Sequence, residues 1–227
     1  MASPSSPKKA VASLSRPGKP GGRREQNRKE KTQRLQDAGL ELFLEKGIEA
    51  TTIDDVTGRA QVAKGSFYRY FADKEALVEA LFSPISRAVF AAMEACGATL
   101  ADATDDDAMR EAYAELGAAF AGVFLEHSHA LLLYLQENRG PATGARRPIR
   151  ALADEVSKQA IHLTHVARDA GLLRPFPAEV SALAVVGAIE RLLFSVLSGS
   201  AGFDPLSLAT DLSSLILDGL RPQGDAA

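Results

Sequence analysis

The amino-acid sequence predicts an all-α protein in two parts: a three-helix module with a helix-turn-helix at residues 27–75 and a larger helical region at 76–220. A basic tail at 1–26 and a short tail at 221–227 flank them. Three observations carry this prediction. Ala and Leu recur at three- and four-residue intervals through most of the chain, the spacing that gathers apolar side chains on one helix face. Gly and Pro concentrate in the N-terminal stretch and in short interruptions. Two short helical segments follow one another within a few residues near position 60, so they must meet at a sharp angle.

At 227 residues, 46% of them hydrophobic, the chain can bury a substantial core. Its formal charge of -3 conceals an asymmetry. Residues 1–75 carry 15 Lys and Arg against 10 Asp and Glu, a net +5, whereas 76–227 carry 11 against 19, a net -8. Residues 1–34 alone reach +8, which suits a polyanion and equally suits a solubilising tail. The first 20 or so residues, rich in Ser, Pro and Gly, are expected to be disordered and contain no apolar run resembling a signal peptide. Cys96, the single cysteine, reads as a small buried hydrophobe and fits a reducing cytoplasm. Residues 181–197 are about long enough to span a membrane, but Glu190 and Arg191 near their middle argue for a buried or interface helix.

Helix one, at 27–46, places Leu35, Ala38, Leu42 and Phe43 on one face, with Gly47 as its left-handed cap. Thr51 and Thr52 then precede Asp54 and Asp55 in the spacing of a capping box, and Ile53, Val56 and Ala60 form the apolar face of helix two, ending near Ala60. The next stretch, VAKGSFYRYFADKEAL at 62–77, holds four aromatics in five positions, interleaved with Lys64, Gly65, Ser66 and Arg69. At about 100° per residue, Phe67 and Phe71 share a face and turn to the core. Gly65 and Arg69 lie opposite, with Lys64 and Tyr68 on one shoulder and Ser66 and Tyr70 on the other. As a recognition helix, that face has a physical logic. Gly65 removes bulk where the helix start approaches closely, Lys64 and the Tyr68 and Tyr70 hydroxyls reach phosphates, and Arg69 reaches a base edge or a phosphate. Asp73 caps the following helix and brings Lys74 near the same surface. A small helical subdomain with solvated charges would share this composition.

The order Thr52, Ile53 to Ala60, then VAKGSFYRYFADKEAL resembles the N-terminal signature of the tetracycline-repressor (TetR) family of bacterial transcription regulators, over roughly residues 30–80. The resemblance implies that Thr52, Lys64, Gly65, Ser66, Tyr68, Tyr70 and Lys74 approach DNA. The family commonly has Gly in the turn and Ser or Thr as the recognition-helix cap, where this chain has Gln61 and Ala63. Gln61 must then adopt a left-handed conformation, and Ala63 offers no capping oxygen.

Beyond residue 76, helices are expected at 76–97, 105–127, 129–139, 148–171, 177–199 and 204–220, with Pro84 kinking or dividing the first and Asp105 to Asp107 capping the second. His162, His165 and Asp169 are spaced to face one direction, but no independent ligand motif supports a metal site, and none is assigned. No cofactor is expected. No Gly-rich phosphate loop, nucleophile elbow or paired carboxylates stand out, so enzymatic activity has no support in the sequence.

The aromatics of the middle helices fit a core. The family resemblance implies that some of them, Phe82, Phe90, Tyr113, Phe120, Phe124 and Tyr134 with Met93, line a pocket for a small effector. Tyr113, His127, Tyr134, Asn138, His162, His165 and Arg168 are its polar candidates. Helix 177–199 carries Ala184, Gly187, Ala188 and Ser195, small enough for close helix contact, together with Arg191. Leu208, Leu212, Leu215 and Ile216 recur at helical spacing beyond it. These two helices are the expected dimer interface, a four-helix bundle with their symmetry mates, where the resemblance also places dimerisation. The resulting expectation is a cytoplasmic homodimeric regulator, a ligand-responsive repressor on a palindromic operator. The alternatives are a ligand-independent nucleoid-type DNA-binding protein and a small-molecule enzyme with a basic tail.

Overall fold

A computed structural model describes residues 22–203, 208, 211, 212 and 214–216, and every regular element among them is a helix. The chain runs α1 (Arg23–Lys46), α2 (Ile53–Ala60), α3 (Lys64–Tyr70), α4 (Lys74–Asp102), α5 (Asp106–Glu137), a 3-10 turn (Gly144–Arg146), α6 (Arg147–Asp169) and α7 (Ala178–Leu197). Of the basic tail expected at 1–26, residues 1–21 lie outside the described residues, as does the tail at 221–227, and Arg23 to Gln26 are helical.

Helix α1 starts at Arg23, four residues before the expected position 27. No Gly or Pro follows Gly22 there. Glu25 in the first turn opposes the helix dipole and approaches Lys29 one turn on, at 3.8 Å. Helix α4 runs unbroken through Pro84, so the expected division does not occur, and Asp73 caps it by accepting from the Ala76 amide at 2.8 Å. The two helices expected at 105–127 and 129–139 meet at a kink at His127 (φ -126°, ψ 30°), where the backbone leaves helical geometry, and together they make up α5. Leu208, Leu212, Leu215 and Ile216 are helical, in agreement with the element expected at 204–220, most of which lies outside the described residues.

Helix α4 is the spine: α5 and α6 pack along it and α1 crosses its first turns, while α7 packs on α6 and α5. The crossing of α1 over α4 depends on Gly39, since a Cβ there would lie 2.8 Å from the Leu77 side chain. One core passes from the N-terminal helices into the base of the larger region, with Leu35, Phe43, Ile48, Phe67, Leu77, Ile85, Leu133 and Ile149 all essentially inaccessible. A second core, around Met93, Leu100, Met109 and Leu163, fills the distal half. Cys96 belongs to it, and burial pushes its thiol up to about 11.

Helices α4, α5 and α7 are each long and apolar enough to cross a membrane by length and composition, with mean hydropathies of 1.4, 1.4 and 1.9 over their most apolar windows. They differ in what covers them. Helix α4 packs against α1, α5 and α6 and buries Leu77, Val78, Phe82, Ile85, Met93, Cys96 and Leu100, whereas α7 buries only Ala178, Ser181 and Ala182.

Candidate nucleic-acid interface

Three contacts tie α2 to α1 and fix the base on which α3 stands. At the start of α2, the Thr52 hydroxyl accepts from the Asp55 amide at 3.1 Å, while the Asp55 carboxylate accepts from the Thr52 amide at 2.8 Å. This is the capping box that the sequence predicts. The same carboxylate takes the Lys46 ammonium at 2.7 Å, and that contact, together with Thr52, holds Asp55 well below the usual carboxylate range. On the other side of α2, Arg59 reaches both Glu45 oxygens at 2.9 Å and Glu41 at 3.1 Å.

The turn into α3 needs a left-handed residue, and Gln61 supplies it at φ 53° and ψ 45°, the one non-glycine with positive φ among the described residues. The Val62 amide donates back to the Thr57 carbonyl at 3.0 Å and closes the turn. Ala63 caps α3 without a side-chain hydrogen bond, as expected.

Helix α3 divides its aromatics as the spacing predicts, with one exception. Phe67 and Phe71 are buried with ring centroids 5.6 Å apart. Tyr68 stands 53% exposed, its ring edge-on to Phe67. Tyr70 differs from the expected exposed shoulder: it is half-buried and packs against the core at the last turn, just before the chain leaves the helix at Phe71. Gly65 faces open space, and Arg69 is exposed with no ion-pair partner among the described residues. Ser66 is half-buried, its amide bonded to the Ala63 carbonyl at 2.7 Å.

Two lysines are engaged within the chain. Lys64 pairs with Asp54 of α2 at 2.7 Å, which raises its pKa. The Lys74 ammonium donates to the carbonyls of Ile48, Glu49 and Thr51 at 2.6, 3.2 and 2.9 Å, closing the loop between α1 and α2. Lys74 therefore shapes the scaffold of this surface with the group expected to approach DNA. The partners of both lysines lie outside the local spacing that singled them out.

The effector candidates are not gathered into one cavity. An open cleft of about 450 Å³ lies between α4 and α6, and of the candidates only Phe82 and Phe90 line it, beside Leu152, Glu79 and Arg147. Met93, Tyr113 and Phe120 pack in the distal core, where burial pushes the Tyr113 hydroxyl far above its ordinary value. Phe124 is half-buried, and His127 sits at the α5 kink beside Glu126. The Tyr134 hydroxyl and the Asn138 amide both donate to Glu190 at 2.8 Å, so these two groups hold α7 in place. His162 is exposed, while His165 contacts Arg168 at 2.8 Å and faces Glu179 at 3.9 Å. Arg168 also reaches Asp169 at 3.5 Å, so the acid of the His162, His165, Asp169 trio is taken up by an arginine.

Of the dimer candidates, Ala184, Arg191 and Leu215 are exposed, and Gly187, Ala188, Ser195, Leu208, Leu212 and Ile216 are partly so. A Cβ on Gly187 would meet nothing within 4 Å, and the Arg191 guanidinium lies over the Phe194 ring at 5.8 Å.

A short helix carrying Tyr68, Arg69 and an open Gly65, set by a sharp turn on a second helix, defines a helix-turn-helix protein. Residues 35–81 match the family described as bacterial regulatory proteins, tetR family. The repressor DhaR of Mycobacterium sp. (strain GP1) is 36% identical over 66 residues, 27% of this chain and 33% of that protein. The chain's match thus spans about a third of that relative's length. Two solved structures share the fold over most of the chain. NalD, the secondary repressor of the MexAB-OprM multidrug efflux pump in Pseudomonas aeruginosa, has a TM-score of 0.67 at 19% identity over 88% of this chain and all of that one. The transcriptional regulator FadR from Bacillus subtilis, solved with stearoyl-CoA, has a TM-score of 0.62 at 16% identity over 83% of this chain and 99% of that one. The N-terminal module of the chain, residues 35–81, is that of the tetR family of bacterial regulatory proteins.

Proposed function

We propose that the protein is a transcriptional repressor that binds a palindromic operator as a homodimer in the cytoplasm and is released by a small molecule. One observation carries the DNA-binding part. Helix α3 buries Phe67 and Phe71 and leaves Gly65, Tyr68 and Arg69 on an open face, so the groups suited to phosphates and base edges are the ones the fold does not consume. A recognition helix of seven residues covers one half-site, and an inverted repeat with half-sites about one helical turn apart, or a multiple of it, requires a symmetric pair. The uncovered apolar surface of α7 supports that pair.

Nothing in the cleft between α4 and α6 selects an effector, and the half-buried apolar side chains around Phe120 and Phe124 support a reorganised pocket in the distal half as its site. An effector changes DNA affinity only to the extent that it favours one spacing of the recognition helices, with coupling typically of about 1–3 kcal/mol. Selection of binding sites from random duplex DNA by the purified protein tests the reading. An enriched inverted repeat is expected. Uniform affinity across sequences would replace it with nucleoid-type binding.

A further inference from the structure

The last turn of α5 carries two acid-centred clusters on neighbouring faces. On one, Glu137 is buried against the loop between α1 and α2. Its Oε1 accepts from the Ile48 amide at 3.3 Å and its Oε2 from Arg146 Nε at 2.5 Å, while Arg146 also reaches toward Glu49 at 3.9 Å. On the other face, Glu190 of α7 takes the Tyr134 hydroxyl and the Asn138 amide on Oε1, both at 2.8 Å, and Arg139 on Oε2 at 2.9 Å. Arg150 of α6 donates to the Asn138 carbonyl and fixes the turn from a third side. Residues 137 and 138 are about 100° apart around the helix, so the two clusters share a backbone without sharing a side chain.

Both acids sit in places where a charge is tolerated only if it is paired. Glu137 is 9% exposed, and Glu190 lies in the most apolar helix with its side chain 16% exposed. Neither cluster can open without stranding buried donors. A shift of α7 therefore moves the end of α5, and the end of α5 holds the Ile48 amide in the loop on which α2 and α3 are mounted. Lys74 grips the same loop through its carbonyls, so the loop has no independent freedom at its amide or carbonyl side.

We propose that Glu137 and Glu190 are positioning residues that couple α7 to the helix-turn-helix through the last turn of α5, so that the arrangement of α7 sets the angle of α3. The proposal rests on the DNA-binding reading only for its consequence, not for its first test. Glu190→Leu removes the acceptor in a helix that accommodates leucine, and Glu190→Gln keeps an acceptor oxygen while losing the charge facing Arg139. Amide hydrogen exchange of full-length protein should show residues 47–51 exchanging on the order of ten-fold faster in Glu190→Leu, with Glu190→Gln in between. Circular dichroism confirms retained helix, and if the leucine variant fails to fold, the glutamine variant carries the comparison. Unchanged exchange at 47–51 in a folded variant overturns the proposal. For the wild-type protein's selected operator, Glu190→Leu should weaken binding to the full inverted repeat and alter its preferred spacer, with little effect on a single half-site. Equal losses on both DNAs mean a merely structural role and overturn it too. A wild-type protein that selects no sequence refutes the function proposed above and leaves the exchange result to decide this inference.

Discussion

The side-chain amide of Gln36 in α1 donates to the Ala80 carbonyl of α4 at 3.3 Å, and Ala80 is the residue whose carbonyl Pro84 leaves without a helical partner. Proline four residues on has no N–H to give. The vacancy lets the N-terminal module attach to α4 by a polar contact as well as by Leu77 against Gly39. Gln36→Ala is expected to cost about 1 kcal/mol in chemical denaturation. In a Pro84→Ala background, where residue 84 regains the helical hydrogen bond, the same change should cost markedly less. A double-mutant cycle measures the difference; equal costs in both backgrounds would show that Gln36 does not answer the proline.

Substitutions on α3 should separate by face. Phe71→Ala empties a buried site and is expected to destabilise the fold by about 3–5 kcal/mol. Tyr68→Ala and Arg69→Ala should leave the melting temperature nearly unchanged while weakening operator binding in a gel-shift titration. Full DNA affinity in the Tyr68→Ala, Arg69→Ala double variant would move the interface elsewhere.

What was legible in the sequence follows from range. The capping box at Thr52 and Asp55, the left-handed Gln61 and the division of Phe67 and Phe71 from Tyr68 rest on contacts within four residues, which spacing encodes. The uses of Lys74 and Glu137 do not, since the carbonyls that Lys74 reaches lie 23 to 26 residues away and the amide that Glu137 accepts from lies 89 residues away. Tyr134 and Asn138 have the chemistry of ligand anchors. That chemistry is taken up by Glu190, an acid the sequence marked only as an interruption of an apolar helix. The boundary expected between His127 and His129 falls where the backbone of α5 leaves helical geometry, at His127.

The pairing of Lys64 with Asp54 opposes DNA binding, because the ammonium must leave a carboxylate to reach a phosphate and the carboxylate then faces the polyanion. Asp54→Asn is expected to raise affinity for DNA of any sequence. Lys64→Ala should lower it and reduce the slope of log affinity against log salt by about one. Both are read by fluorescence anisotropy across a salt series. A lower affinity for Asp54→Asn would mean that the carboxylate orients Lys64 productively.

Acid should erase the contribution of Asp55 in a defined direction. Its folded-state pKa is depressed by Lys46 first and then by Thr52, so the stability it brings is fully present above the ordinary carboxylate range and disappears as pH falls toward the lower folded value. Asp55→Asn is therefore expected to be less stable than the wild type at neutral pH, with the gap in urea midpoint closing on acidification. A gap that stays constant with pH would assign the loss to capping geometry and not to charge.

The dimer prediction turns on Gly187. Helix α7 has a mean hydropathy of 1.9 over its most apolar window yet buries only three residues within the chain, and Val180 and Leu183 stand 55% and 49% exposed. So much uncovered apolar surface is unusual for a lone chain and suits a partner helix. Because a Cβ at Gly187 meets nothing within 4 Å, an arginine fits there in an isolated protomer and clashes only with a closely packed partner. Gly187→Arg is thus expected to give a folded monomer by sedimentation, with helix content preserved in circular dichroism and specific operator binding lost. The pair Leu212→Glu and Ile216→Glu should act in the same way from the helical segment that follows. Half-site binding should survive in both, since α3 and its support on α2 and, through it, on α1 are untouched. A wild-type protein that sediments as a monomer while holding a full inverted repeat tightly would remove the two-fold scheme, as would a Gly187→Arg protein that remains dimeric.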